Sequence, residues 1–399
     1  MVLIQFSDFG LGRGLYIAKA LSLLGISVTI VTNEPVYSDQ RLSKGSMLNF
    51  DAKVIEFRIP YLKALHGSIL GRLIVYVLFT LFSFFALMEN SQPDTLYSRG
   101  PQPFTEISCI LYKVFNRNVR IISDTTDLWP DTLEYVEMNR VLKGLMIQQG
   151  HAINNLVYSR VDAIVTLNEE LSKVLRERFG RATYVIYGVI DLDRFKSMSK
   201  SEALEALPLA IRNRVAGKFV ILYAGLLGPF QNPSAIVDVA KKIADDEEVI
   251  FLIAGIGPLK ASMEQEVKKC GLNNVLFLET QPFGKMPLIY NSADLFLLTY
   301  APIDFLRIGL PKKFIEYAAC GKPILCMSPP CVASDLCVKW EAGYRVDSLD
   351  AENAVNLIRF LKKNEALKVK SGENARQLAE ALFSPNHAAE TLKEIVCQC

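Results

Sequence analysis

The stretch FVILYAGLLGPFQNPS, residues 219–234, joins an apolar run rich in β-forming residues to a loop that leads into a helix. Apolar runs of the same kind recur downstream, separated by segments typical of helices. They are VIFLIAG (249–255), NVLFLET (274–280), LFLLTY (295–300), PILCM (323–327) and YRVD (344–347). Apolar strands that alternate with helices predict a parallel sheet covered by helices on both faces.

An earlier series of the same kind occupies the first half of the chain. Its runs are VLIQF (2–6), SVTIVTN (27–33), KVIEFRIP (53–60), TLYS (95–98), RIISDT (120–125), AIVTLN (163–168) and TYVIYG (183–188). A polar segment without a strand pattern, 197–218, separates the two series. The chain of 399 residues is therefore predicted to be α/β, with two doubly wound, Rossmann-like domains, 1–196 and 197–380, that face each other across a cleft. A helix at 381–399 is expected to pack back on the first domain.

Composition excludes several classes of protein. Hydrophobic residues make up 50% of the chain and charged residues 22%, which is typical of a folded protein. The net charge of +2 argues against nucleic acid as a partner. The eight cysteines form no CxxC pair and favour a reducing compartment, and the amino terminus lacks the basic region of a signal peptide, so we expect a cytoplasmic protein. The three histidines are too far apart to indicate a metal site by their spacing.

One segment complicates the expectation of a soluble protein. Residues 69–88, ILGRLIVYVLFTLFSFFALM, are almost wholly apolar. The part without a charge, from Leu73 to Met88, is shorter than the ~20 residues that span a bilayer. A buried core helix is the favoured interpretation. The alternative is peripheral contact of 69–88 with a membrane, on the inner face of the cell membrane.

A second motif, LPKKFIEYAACGKPIL at 310–325, places two lysines where a helix is predicted to begin. Pro311 suits a first helical turn, and Gly321 suits the position just past the end. The positive end of a helix dipole favours anions, so Lys312 and Lys313 indicate a negatively charged ligand beside them. The alternative is that both lysines are merely solvated.

Glycine-rich loops follow other predicted strands. In SDFGLGRG (7–14) glycines open the first helix, where backbone N–H groups can receive an anion, and a tight turn without a ligand is the alternative. AGIGPL (254–259) is another glycine turn ahead of a helix, and YAGLLGPFQNPS (223–234) is a strand-to-helix loop. Together with the paired lysines, these loops of the second domain favour a phosphate-bearing ligand.

An acidic and aromatic lip is predicted in SDTTDLWPDTL (123–133), at the end of a strand. Asp124, Asp127 and Asp131 surround Trp129 there. Carboxylates can bind sugar hydroxyls while the apolar face of the sugar stacks on the ring. We assign a functional role to Asp127, whereas Asp131 is expected to start a helix.

Taken in order, these motifs resemble those of the retaining glycosyltransferases of family 4, which have the GT-B fold. The resemblance covers nearly the whole chain. It rests on VIYGVIDLDRF (185–195), GxGPL (255–259), NSADLFLLTY (291–300) and DLWP (127–130). A subgroup that builds cell-surface polysaccharides has the form PSKxxEYxAxGKP, which is matched here by Lys313, Glu316, Tyr317, Ala319, Gly321, Lys322 and Pro323.

The resemblance implies that the second domain binds a nucleotide sugar, UDP- or GDP-linked, and that the first domain holds a glycan or lipid-linked acceptor. Glu316 would accept hydrogen bonds from ribose hydroxyls, and with Lys313 and Asp127 it forms the candidate catalytic set. No cofactor and no metal are expected, because the nucleotide sugar is a substrate. The remaining positions expected at the ligand are Gly10, Gly12, Gly14, Gly225, Gln231, Gly255, Gly257, Phe283, Arg307, Ile308, Gly309, Leu310 and Lys312.

The sequence departs from the family pattern in three places. The Arg and Lys that usually contact the diphosphate are replaced by Leu226 and Gln231. Ile308 stands where the first acid of an E-x7-E pattern is usual, and the histidine common in the first domain is absent. We therefore expect Lys313 to supply most of the side-chain charge that stabilises the leaving diphosphate, assisted by the backbone N–H groups of 308–310.

The sequence thus predicts a metal-independent, retaining glycosyltransferase, either a hexosyl- or an N-acetylhexosaminyl-transferase, that acts in polysaccharide, glycolipid or glycoprotein assembly. Two alternatives stay open. A non-hydrolysing sugar-nucleotide epimerase has the same fold, although the shortage of histidine counts against it. A non-catalytic, glycosyltransferase-like partner subunit would explain the missing Arg and Lys.

Overall fold

The computed structural model describes residues 1–6, 12–33, 50–57, 69–89, 92–99, 104–135 and 138–397. The chain divides into two compact units. Unit 1 comprises Met1–Val189 and Pro385–Cys399, and unit 2 comprises Ile190–Ser384. The boundaries expected from the sequence differ from these limits by a few residues (196 against 189, and 380 against 384).

Unit 1 is built on a sheet of seven parallel strands. They are β1 (Val2–Phe6), β2 (Val28–Asn33), β3 (Lys53–Phe57), β4 (Thr95–Arg99), β5 (Arg120–Thr125), β6 (Ala163–Thr166) and β7 (Thr183–Val185), in the spatial order β3-β2-β1-β4-β5-β6-β7. In the centre, Ile4 pairs with Ile30 on one side and with Tyr97 on the other, and all three are fully buried. The predicted parallel sheet of the first domain is confirmed.

Helices cover this sheet, and one of them comes from the distant end of the chain. The helices that the structure describes in unit 1 are α1 (Arg13–Leu23), α2 (Ile69–Glu89), α3 (Phe104–Phe115), α4 (Arg140–Tyr158), α5 (Glu169–Phe179) and α15 (Pro385–Cys397). Helix α15 packs on α1, where Leu392 and Ile395 share a buried cluster with Ile17 and Leu21. The spacing of its apolar residues places them on one face, which explains the docking.

Unit 2 repeats the plan with a sheet of six parallel strands. They are β8 (Phe219–Leu226), β9 (Val249–Ile256), β10 (Val275–Phe277), β11 (Leu295–Thr299), β12 (Ile324–Met327) and β13 (Gly343–Val346), in the spatial order β10-β9-β8-β11-β12-β13. The order reverses between β8 and β11, and a ligand is expected at such a switch point, outside the carboxyl ends of the strands. The predicted second parallel sheet is confirmed.

The helices of unit 2 explain why its strands are apolar on both faces. They are α6 (Lys200–Glu205), α7 (Leu209–Val215), α8 (Pro233–Lys242), α9 (Lys260–Lys269), α10 (Met286–Asn291), α11 (Lys312–Cys320), α12 (Val332–Lys339), α13 (Ala351–Lys363) and α14 (Glu365–Leu382). On β8, Ile221 and Tyr223 join Ile236 of α8 in one core cluster, whereas Val220 and Leu222 are buried on the other face. A strand covered on both sides must be apolar throughout.

Helix α2 corrects the expectation of a buried core helix, because only one of its faces is buried. Val75 and Phe79 are fully buried. On the opposite face, Val77, Leu81 and Phe85 are 46%, 49% and 59% exposed. Among the residues that the structure describes, no helix is long and apolar enough to cross a membrane.

The pairing of β12 with β13 generates a prediction about stability. A Cβ atom at Gly343 would overlap the carbonyl oxygen of Ile324 and stand 2.7 Å from its carbonyl carbon. We expect Gly343→Ala to lower the free energy of unfolding by about 2–3 kcal/mol through overpacking against backbone, as measured by urea denaturation. Gly144→Ala in α4 is the control. Its Cβ would meet no atom within 4 Å, so a gain of about 0.5–1 kcal/mol is expected. Equal midpoints for Gly343→Ala and the parent would contradict the packing of β13.

Candidate functional site

Two loops of unit 2 lie side by side at the carboxyl edge of its sheet. The N–H of Leu227, just after β8, donates to the carbonyl of Ile256 at the end of β9 (2.7 Å). The N–H of Leu259 in turn donates to the carbonyl of Leu227 (3.0 Å). The glycine turns predicted after these two strands therefore form one continuous surface at the edge where a ligand is expected.

Helix α11 begins beside this edge, as the sequence predicted. Pro311 is its N-cap residue, Lys312 is its first residue, and Gly321 follows its end in the left-handed conformation (φ 68°). Within the described part of the chain, no side chain caps its first turn. The first N–H groups and the positive end of the helix dipole therefore favour an anion at this point.

Lys313 lies across the end of β8. Its Nζ donates to Tyr223 Oη (2.7 Å) and stands 3.9 Å from the centre of the Tyr223 ring. A Cβ at Gly225 would be 3.0 Å from Lys313 Cε and 3.1 Å from Nζ. Gly225, whose φ is 128°, is thus required both for its backbone conformation and for the room that Lys313 occupies.

The ammonium group of Lys313 is held in an environment that disfavours its charge. Burial lowers the pKa of Lys313 to about 7, and the opposing effect of the Glu316 carboxylate is smaller. Tyr223 is neutral, because burial raises the pKa of its hydroxyl. An anion at the start of α11 would supply the missing counter-charge and favour the protonated lysine.

Glu316 lies on the same helix, one turn further on, and is 5% exposed. Its Oε2 accepts a hydrogen bond from Tyr290 Oη (2.6 Å). Its Oε1 lies 3.6 Å from Nζ of Lys312, whose side chain is 52% exposed. Lys312 and Glu316 thus form an i,i+4 pair that joins a buried acid to an exposed lysine.

Phe283 lies next to this pair and is contacted by two cations. Lys312 Nζ stands 4.5 Å from the centre of its ring, and Arg194 Cζ stands 4.6 Å from it. The structure therefore brings Phe283 together with Lys312, and both are among the positions that were expected at the ligand. The contribution of Arg194 was not foreseen, because no short spacing connects it to the motif.

Gly255 and Gly257 have a steric role. A Cβ at Gly255 would stand 2.7 Å from the carbonyl oxygen of Gly225, and a Cβ at Gly257 would overlap the backbone of Leu227. Gly257 also has a φ of 150°. Both glycines permit the two loops to approach each other closely, so their packing alone explains them.

The two positions that lack the family's usual cations lie on this surface. Leu226 is 51% exposed. The backbone carbonyl of Gln231 accepts a hydrogen bond from the Thr299 hydroxyl, and its buried side-chain Oε1 has no hydrogen-bond partner among the described residues. Neither position carries a charge, whereas Lys313 contacts the end of β8 through Tyr223 and Gly225.

The segment ahead of α11 requires one correction. Asp304–Ile308 is a 3-10 helix with Arg307 exposed and Leu310 buried. The N–H of Gly309 donates to the carbonyl of Leu306 (2.8 Å). The prediction that this N–H is available to a ligand is wrong, because it closes the local turn.

In unit 1 the glycine loop leads to a buried ion pair. Gly10 lies outside the described residues, Gly12 is the N-cap of α1, and Gly14 is buried in its first turn. Arg13 Nε donates to both oxygens of Asp124 (3.0 and 2.8 Å). Arg13 Nη1 also donates to the carbonyl of Tyr187 (2.8 Å).

The acidic lip is smaller than predicted. Asp124 does not belong to it, because it is fully buried and bound to Arg13. Asp131 begins a 3-10 helix and contacts Arg178 (2.8 Å) and His151 (3.1 Å). Asp127 is the exposed acid of this stretch and remains a candidate for contact with a ligand.

Two residues that sequence reasoning missed hold the candidate side chains in place. Tyr223 binds Lys313, and Tyr290 binds Glu316. Their partners are 90 and 26 residues away along the chain, so no local pattern could have revealed them. Among the described residues, no three His, Cys, Asp or Glu side chains are grouped as a metal site requires.

Comparison with known proteins shows which families and structures this chain is similar to. Residues 210–378 match the family described as "Glycosyl transferases group 1". The chain is 24% identical over 310 residues to WcaI of Escherichia coli K12, whose name describes a colanic acid biosynthesis glycosyl transferase, and the match covers 74% of each chain.

Solved structures share the fold over the whole chain. The structure of Anabaena HepE in complex with UDP and glucose superposes with a TM-score of 0.71 at 16% identity and covers 100% of this chain and 99% of HepE. WaaG, a glycosyltransferase involved in lipopolysaccharide biosynthesis, gives a TM-score of 0.69 at 13% identity and covers 100% of both chains. These likenesses confirm the predicted GT-B fold class. The range matched by the family model fills most of unit 2, so that unit is similar to the glycosyl transferases group 1, and the comparisons identify the protein as a glycosyltransferase.

Proposed function

We propose that this glycosyltransferase is retaining and metal-independent, and that it transfers a sugar from a nucleotide-sugar donor to a glycan or lipid-linked acceptor. The observation that carries the proposal is the convergence of Lys313 and Glu316 with the end of β8 at the start of α11. A helix start, a cation and a buried carboxylate together provide groups for a diphosphate and for a ribose. A UDP-linked donor is supported by the likeness to HepE, whose structures contain UDP and UDP-glucose.

The chemistry that we assign to these groups follows from where charge develops. As the glycosidic bond breaks, the leaving nucleoside diphosphate gains negative charge, which Lys313 and the positive end of α11 stabilise. Glu316, as an ionised acceptor, receives hydrogen bonds from the ribose hydroxyls and fixes the nucleotide. Asp127 in unit 1 accepts a hydrogen bond from an acceptor hydroxyl. A front-face mechanism, in which the departing phosphate helps to deprotonate the acceptor, follows from the resemblance to the retaining family.

The biological setting that we propose is the assembly of a polysaccharide or glycolipid. This proposal is supported by the name of WcaI, which refers to colanic acid, and by that of WaaG, which refers to lipopolysaccharide. Helix α2 adds a second consideration. Its exposed apolar face suits a protein that works on an acceptor held at a membrane, on the cytoplasmic side.

Transfer itself is tested by incubating the protein with UDP- and GDP-linked hexoses and N-acetylhexosamines. We expect one donor to release its nucleoside diphosphate when a membrane or polysaccharide extract is added as acceptor, with the sugar recovered in α-linkage if the donor is α-linked. Release is measured with a coupled enzyme assay, and linkage by NMR. An epimerised donor would instead identify the epimerase, and binding without turnover would identify the non-catalytic partner subunit.

The role of Lys313 is tested by the pH dependence of donor binding. UDP-glucose has no group that titrates near neutral pH, whereas the free protein loses the charge of Lys313 above about pH 7. Binding then requires proton uptake, so its affinity should fall as the pH rises through about 7, by at most tenfold per unit. Lys313→Met should bind weakly and nearly independently of pH, and its turnover should fall about tenfold or more.

The control for this experiment is Lys339→Met, which removes a lysine from α12 in the same unit. It should keep the pH profile of the parent. Isothermal titration in two buffers of different ionisation enthalpy reports the proton uptake directly. An unchanged pH profile in Lys313→Met would refute the assignment of the diphosphate to this lysine.

Membrane contact through α2 is tested separately. We expect the parent to sediment with vesicles of phosphatidylcholine and phosphatidylglycerol, and the double variant Leu81→Glu, Phe85→Glu to bind them about tenfold less, because two apolar side chains lose their lipid contact. Val338→Glu with Leu349→Glu is the matched control, since these side chains are 47% and 70% exposed on unit 2. Equal loss in both double variants, or no sedimentation of the parent, would count against this contact.

A further inference from the structure

The two oxygens of Glu316 have different surroundings. Oε2 points into the protein and accepts the short hydrogen bond from Tyr290 Oη (2.6 Å). Oε1 lies on the side of Lys312, a side chain that is half exposed. Tyr290 itself is 3% exposed and belongs to a different helix, α10. One oxygen of the carboxylate is therefore bonded from inside unit 2, and the other lies beside Lys312.

The ring that carries this hydroxyl is rigidly held. Tyr290 meets Tyr317 edge to face (5.5 Å between centroids, 89°) and Phe296 in the same manner (6.0 Å, 87°). Tyr317 stacks on Phe296 (4.2 Å, 4°), and its Oη accepts a hydrogen bond from the N–H of Ala224 in β8 (2.7 Å). The orientation of the Tyr290 hydroxyl is thus set by a packed aromatic cluster that is itself attached to the central strand.

We propose that Tyr290 is a positioning residue for the donor: by occupying Oε2 of Glu316, it turns Oε1 toward the ribose and fixes the carboxylate in one rotamer. This inference rests on the proposed function, in which Glu316 receives the ribose hydroxyls. A neutral donor is suited to this task because it orients the carboxylate without cancelling its charge, and the hydrogen bond is stronger for having an ionised acceptor.

The test is a comparison of Tyr290→Phe with two ligands. The variant keeps the ring and its packing and loses only the hydroxyl. We expect it to bind UDP, or GDP if that nucleotide binds the parent more tightly, about five- to tenfold more weakly, because the carboxylate is no longer held in one orientation before the ligand binds. The dideoxyribose analogue of the same nucleotide should bind the parent and the variant equally, because it lacks the hydroxyls that Glu316 would receive.

Two controls make the outcome decisive. Tyr158→Phe in unit 1 removes a hydroxyl of similar burial that bonds Thr125 (3.0 Å), and it should leave nucleotide affinity unchanged. Glu316→Gln should weaken binding of the nucleotide at least as much as Tyr290→Phe does.

Weak binding by Glu316→Gln with normal binding by Tyr290→Phe would overturn the positioning role and leave the proposed function intact. Equal losses with both ligands would show a merely structural effect of Tyr290 and also overturn the positioning role. Normal binding by Glu316→Gln, or no binding of either nucleotide to the parent, would overturn the proposed donor site together with the role of Tyr290.

Discussion

The close approach of Lys313 to the backbone at Gly225 is the contact on which the candidate site depends. It ties the first turn of α11 to the end of the central strand β8, and it leaves the ammonium group between an aromatic ring and a peptide. The ammonium group is therefore partly dehydrated, and its protonated form is disfavoured until an anion binds beside it. A site of this kind gains selectivity for anionic ligands, because a neutral ligand would leave the lysine without a counter-charge. The Tyr223 hydroxyl compensates for part of the lost hydration, because it accepts a hydrogen bond from the ammonium group that water would otherwise accept.

Much of the architecture could be predicted from the sequence, because apolar runs such as 219–225 are typical of strands that are covered on both faces. It also predicted that Lys313 and Glu316 lie on one helix and share a face, because they are three positions apart, at i and i+3. The partners of these side chains could not be predicted. Only the tertiary fold brings Tyr290 to Glu316, Tyr223 to Lys313 and Arg13 to Asp124. A single sequence does not show which distant residues are in contact.

The errors have a common physical origin, which is that backbone groups and glycines have local uses that compete with ligand binding. The N–H of Gly309 was assigned to a ligand, yet it closes a 3-10 turn. Charged side chains also have local uses: the carboxylate of Asp124, at the end of a strand, forms an ion pair with the buried Arg13 and is not available to a ligand. Helix α2 was misjudged for another reason: an unbroken apolar run does not reveal which face is covered.

The docking of α15 on α1 affects the order in which the chain can fold during synthesis. Unit 2 is an insertion in unit 1, entered at Ile190 and left at Ser384, and the N–H of Ile190 bonds the carbonyl of Phe383 where the two connections meet (2.9 Å). Leu392 and Ile395, which complete the core beside α1, leave the ribosome after the whole of unit 2. Synthesis begins with unit 1, but its core stays incomplete, with an apolar surface of α1 uncovered, until the whole of unit 2 has been synthesised. Vectorial synthesis usually completes domains from the amino terminus onward, and here that order is reversed.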